Sequence, residues 1–112
     1  MKKKLFQNYS FAFDKNEKKV LRNFCKQALN QMTGDERFYK EEKIFNSLIE
    51  KLNTEDEEIK LTKEEKQRLV LHLKENVKHI KQEMDKSGFI KKWFYNSVYK
   101  QYNELLQNHF DG

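Results

Sequence analysis

The stretch Ser10–Leu29, "SFAFDKNEKKVLRNFCKQAL", has a counterpart at Glu58–Val77, "EIKLTKEEKQRLVLHLKENV". One offset of 48 residues carries Phe11 onto Ile59, Phe13 onto Leu61, Asp14 onto Thr62, Glu17 onto Glu65 and Leu21 onto Leu69. Each stretch opens with apolar residues at every second position, the period of a half-buried strand. Each then changes to charged residues and to the 3.6-residue period of a helix. The change falls at Asp14 and at Thr62, and a glutamate follows three positions later in both. That spacing is a capping box: the cap oxygen accepts from the N3 amide, and the glutamate reaches back to the cap amide.

The two strand pieces, Tyr9 to Phe13 and Glu58 to Leu61, are short. A lone strand leaves its backbone amides unpaired. Pairing with each other satisfies both, and a pseudo-twofold between the halves makes that pairing antiparallel. The expected fold is therefore mainly α: a four-helix array of two helix-hairpin halves with a small two-stranded β-ribbon. The chain reads as a single domain, 1–112, with an internal repeat of 10–53 and 58–110.

The helices follow from apolar spacing. The first is expected over about Lys15 to Met32, with Leu21, Phe24, Cys25, Ala28, Leu29 and Met32 inward, stopped by Thr33 and Gly34. The second runs from about Glu36 to Leu52 on Ile44, Phe45, Leu48, Ile49 and Leu52. An acidic connection, Asn53 to Glu58, precedes the third. That helix starts after Thr62 and runs to about Lys86 on Leu69, Leu73, Val77, Ile80 and Met84. Ser87 and Gly88 stop it. The fourth runs from about Phe89 to Phe110 and is rich in aromatic residues.

Composition agrees with this class. The chain has 112 residues, no proline and three glycines, which suits long helices with few turns. Aromatic residues at 13% supply core material that disordered chains lack. Abundant Lys, Asn, Ile and Phe point to AT-rich coding, as in a low-GC bacterium or its phage. Cys25 is the only cysteine, so no intramolecular disulfide framework is expected. Lys2, Lys3 and Lys4 are followed by no long apolar run, and nowhere is there the stretch of roughly 18 apolar residues that a membrane span needs. The expected location is cytoplasmic, with no membrane contact.

Familiar catalytic patterns are missing. No glycine-rich phosphate loop and no cysteine pair for zinc occurs. Ser47, His72 and Asp56 have no spacing that favours a triad. His72, Glu75, His79 and Glu83 fall within about 80° on the third helix, a metal-like cluster from one helix that lacks a second helix to complete the shell. It reads as a solvated flank, so no metal, cofactor or catalytic residue is expected. His109 near Glu104 changes nothing in that reading. Cys25 lies on an apolar face and reads as a small buried hydrophobe.

Two surfaces remain. Lys15, Lys19, Arg22 and Lys26 lie within about 60° on the first helix with no acid among them, and Lys92 adds charge elsewhere. With a formal charge of +5, such a row suits phosphates. Only three arginines stand against twenty lysines, so contacts would be mostly to backbone, weak and salt-sensitive. The other surface is on the fourth helix. Phe94, Val98, Tyr102, Leu105 and Leu106 make its core face, while Trp93 falls roughly opposite, near Phe89 and Lys100. Such an indole is covered by the N-terminal strand or its preceding arm, meets a partner or a second copy, or stacks on bases. Phe89, Trp93, Tyr95 and Tyr99, with Leu71 on the third helix, are the candidate partner-binding residues. The expectation is a non-enzymatic interaction or regulatory protein that binds another protein or itself. The alternative is a nucleic-acid-binding accessory protein using Lys15, Lys19, Arg22, Lys26 and Lys92.

Overall fold

The computed structural model describes the backbone of residues 8–86 and 89–110, and side chains over 9–86 and 95–110. It is mainly helical. Strand β1 (Asn8–Phe11) leads to α1 (Lys15–Met32), a 3-10 turn (Glu36–Phe38) and α2 (Tyr39–Leu52). Strand β2 (Ile59–Thr62) then leads to α3 (Lys63–Lys86) and α4 (Phe89–His109). The chain divides into two compact units, Met1–Leu69 and Val70–Gly112, with the boundary inside α3.

In the first unit the strands pair antiparallel, with Phe11 opposite Ile59, Tyr9 opposite Leu61 and Asn8 opposite Thr62. Phe11 and Ile59, which the 48-residue offset makes equivalent, thus face each other. β1 ends two residues before the expected Phe13. Ala12 and Phe13 leave the ladder so that the chain can turn into the Asp14 cap, and the Phe13 ring stacks on Phe11 at 5.4 Å between centroids. Phe11, Phe13, Ile59 and Leu61 are all buried, so the apolar side of the ribbon is core.

Both capping boxes are formed. Asp14 Oδ1 accepts from Glu17 N at 2.7 Å, and Glu17 Oε1 accepts from Asp14 N at 3.0 Å. Thr62 Oγ1 accepts from Glu65 N at 3.1 Å, and Glu65 Oε1 accepts from Thr62 N at 2.9 Å. The boxes satisfy amides that a helix start leaves without intrahelical partners.

Helix α1 packs against α2. Leu21, Phe24, Cys25 and Met32 are buried on one side, and Ile44, Phe45, Leu48 and Leu52 on the other. Ala28, Leu29 and Ile49 flank the stripes and are half-buried. Burial recurs with the offset: Leu21 and Leu69, Cys25 and Leu73, and Met32 and Ile80 are buried in pairs. Thr33 closes α1, its amide and hydroxyl both donating to the Leu29 carbonyl. Gly34 then adopts φ 89°, a left-handed conformation that costs glycine little. The second helix was expected from Glu36. Its start is instead a 3-10 turn, because the Asp35 carboxylate caps Arg37 N at 3.0 Å and tightens those residues.

In the second unit, Leu73 and Ile80 of α3 and Tyr102, Leu105 and Leu106 of α4 are buried, with Phe110 just beyond. Val77, Met84 and Val98 are half-buried. Phe94 and Trp93 fall outside the described side chains.

Two cations of α1 close the end of α2 and the acidic connection after it. Lys18 is buried, and its ammonium donates to the carbonyls of Thr54 at 3.1 Å and Asp56 at 2.5 Å. Arg22 Nη1 donates to the Leu52 carbonyl at 3.1 Å. Positive charge at a helix C-terminus is favourable. Lys18→Met keeps the apolar stem and removes the donor from two carbonyls. It is expected to lower unfolding free energy by about 1–2 kcal/mol, read as a lower urea midpoint at unchanged slope. An unchanged midpoint would mean that water serves those carbonyls equally well.

Candidate functional site

The turn between α1 and α2 carries the most exposed aromatic side chain among the described residues. Tyr39 is 62% exposed. It opens α2 opposite the Ile44, Phe45, Leu48 and Leu52 stripe, as rotation at about 100° per residue requires. Phe38 beside it is half-buried. Arg37 is held in place from below: its Nε reaches Asp35 Oδ1 at 3.1 Å, and its Nη2 reaches Oδ2 at 2.7 Å. This two-point grip fixes the guanidinium plane. The guanidinium also sits 5.6 Å from the centre of the Phe38 ring, and Lys43 Nζ lies 4.8 Å from that of Tyr39. The hydrogen bonds from Arg37 hold the Asp35 carboxyl below its usual range. The result is an exposed Arg–Phe–Tyr cluster at the start of α2. Sequence reasoning passed over it, although a tyrosine opposite an apolar stripe was the available signal.

The lysine row of α1 is only partly assembled on one surface. Lys15, Lys19 and Lys26 are exposed. Arg22 lies at the edge of the row, half-buried and engaged with Leu52. The side chain of Lys92 lies outside the described residues, as do those of Phe89 and Trp93. Tyr95 and Tyr99 are half-buried, and Leu71 is 47% exposed.

Ser47 and Lys51 are both engaged with Glu65. Ser47 donates to Glu65 Oε2 at 2.5 Å, and Lys51 donates to Glu65 Oε1 at 2.6 Å. Burial alone would raise the Glu65 pKa. Hydrogen bonds from Lys51, Ser47 and the Thr62 amide, with the charge of Lys51, outweigh it and hold the carboxylate below the usual glutamate range. Arg68 Nη1 meets Glu41 at 2.8 Å. Together these contacts bind the start of α3 to α2. A groove of about 330 Å³ beside them is lined by Lys51, Thr54, Asp56, Glu58, Ile59 and Lys60. His79 and Glu83 approach only to 3.9 Å, and among the described residues no group of three His, Cys, Asp or Glu side chains is placed to hold a metal. Among the described residues no helix is long and apolar enough to cross a membrane.

Compared with known proteins, the chain matches no family model, no curated protein and no solved structure.

Cys25 is fully buried, and burial pushes its thiol up to about 12. The thiolate is the reactive form, so the folded protein should resist thiol reagents. In mildly alkaline buffer a chromogenic disulfide reagent is expected to label no cysteine in the native protein and one equivalent after denaturation. Rapid native labelling would show that α1 opens from α2.

Proposed function

We propose that this chain is a non-catalytic interaction protein that docks a protein partner through exposed aromatic and apolar side chains, foremost Tyr39. The observation that carries this reading is the exposed Tyr39 beside Arg37 and Phe38 where α1 turns into α2. Tyrosine and arginine dominate binding hot spots because they bury large area and hydrogen-bond at their ends. Arg37 pairs with Asp35 beside it and adds a guanidinium to the same exposed patch. In the second unit, Leu71 and the half-exposed Tyr95 and Tyr99 are the described candidates for contact.

A non-catalytic role is supported by what the nucleophiles do. Ser47 serves Glu65, and the Cys25 thiol is buried and protonated. A cytoplasmic setting belongs to the same reading, supported by a lone cysteine kept as a thiol in the core. The partner is another protein or a second copy of the chain.

The test uses the full chain and two surface variants, Tyr39→Ala and Leu71→Glu, as baits, with sedimentation velocity over a range of concentrations. A stoichiometric partner, or a dimer, is expected for the parent. Tyr39→Ala should weaken the association about tenfold or more while leaving the melting temperature in place. A strict monomer that captures nothing, or equal capture by all three proteins, would refute the reading.

A further inference from the structure

The exposed side of α1 carries no acid. Lys15, Asn16, Lys19, Asn23, Lys26, Gln27, Asn30 and Gln31 are all exposed. Within this set Asn16, Lys19, Asn23, Lys26 and Asn30 alternate at one-turn steps inside an arc of about 80°. Among the described residues no ion pair involves Lys15, Lys19 or Lys26. The cations that do have structural work on this helix, Lys18 and Arg22, are turned toward the end of α2 and the connection after it. The surface is thus positive, rich in carboxamides and separate from the contacts that hold the unit together.

Asparagine is a weak helix former. Three of them in the solvent face of an 18-residue helix lower its stability, where lysine or glutamate would raise it. Carboxamides have a matching ligand in the edge of a base: Asn and Gln bond adenine N6 and N7 in pairs, and Lys reaches phosphate oxygens or guanine. An acidic protein would require the charges alone. The helix is about 27 Å long at 1.5 Å per residue. An α-helix enters the major groove of B-form DNA, which is about 12 Å wide, whereas the A-form groove of RNA is too narrow.

We propose that the Lys/Asn/Gln face of α1 binds duplex DNA in the major groove, its lysines on phosphates and its carboxamides on adenine edges. This surface is distinct from the Tyr39 tip, and the inference does not depend on the protein-docking role. Three phosphate contacts give a logarithmic salt slope of about −2.7, so affinity falls about 40-fold between roughly 50 and 200 mM salt. Adenine contacts favour A·T-rich over G·C-rich duplexes.

The experiment is fluorescence anisotropy on the full chain with A·T-rich and G·C-rich DNA duplexes of equal length. A duplex RNA and a polyglutamate are further probes. The triple variant Lys15→Gln/Lys19→Gln/Lys26→Gln is compared with Lys74→Gln/Lys78→Gln/Lys81→Gln, which removes the same charge from exposed positions of α3. Circular dichroism confirms that both fold. The first triple should lose about tenfold or more in affinity for DNA and the second much less. Asn23→Ala should reduce the preference for A·T by about fivefold while keeping the salt slope. Tyr39→Ala should bind as the parent does. Equal losses in both triples, equal affinity for the two duplexes, tighter binding to RNA or polyglutamate, or no binding at the lower salt would each overturn the proposal.

Discussion

The first unit depends on one buried carboxylate. Glu65 closes the capping box of α3, and the same side chain accepts the hydroxyl of Ser47 and the ammonium of Lys51 from α2. Three segments meet at it: the end of the ribbon, the first turn of α3 and the half-buried flank of α2 that carries Ser47 and Lys51. A carboxylate withdrawn from water is costly unless its oxygens find donors. Here they find three, two of them from α2. The equivalent glutamate of the first box, Glu17, lies in a more open place, and its own cap contacts are local. The second box therefore also ties the start of α3 to α2.

Much of this frame was readable in the chain. The boxes at Asp14 and Thr62 announced both helix starts, because their chemistry is local and needs residues only three apart. Pairing of the strands followed from the demand that backbone amides be satisfied. What escaped was set by distant partners. Lys18 looks like any surface lysine until α2 brings the carbonyls of Thr54 and Asp56 to it. Arg22 looked like a member of an outward row, yet it faces the last turn of α2. The 3-10 start at Glu36 arises from one aspartate that no apolar period reveals. Tyr39 gives little signal in the sequence because its exposure depends on where the Asp35 cap sets the start of α2.

Two groups of cations have different roles. Lys18, Arg22, Lys51 and Arg68 each meet a named carbonyl or carboxylate, and each joins segments far apart in sequence. Lys15, Lys19 and Lys26 lie in the open on a helix face free of acid. Net charge alone does not distinguish these groups; their neighbours do. The same contrast separates the aromatic residues. Phe11, Phe13, Phe24 and Phe45 fill the interior, while Tyr39 is left outside on a turn whose arginine is already oriented.

The stability of Glu65→Gln against the parent, followed from neutral to acidic pH, addresses the role of this carboxylate most directly. The folded carboxyl titrates below the ordinary value of 4.5, so its contribution is present above that value and is lost as pH falls through the lowered one. The parent should be more stable near neutrality by about 1–2 kcal/mol, with little of it from the ion pair, since Lys51 reaches solvent. The gap should close in acid. Equal stability at neutral pH, or a gap that persists unchanged into acid, would contradict the assignment of Glu65 as the tie between α2, β2 and α3.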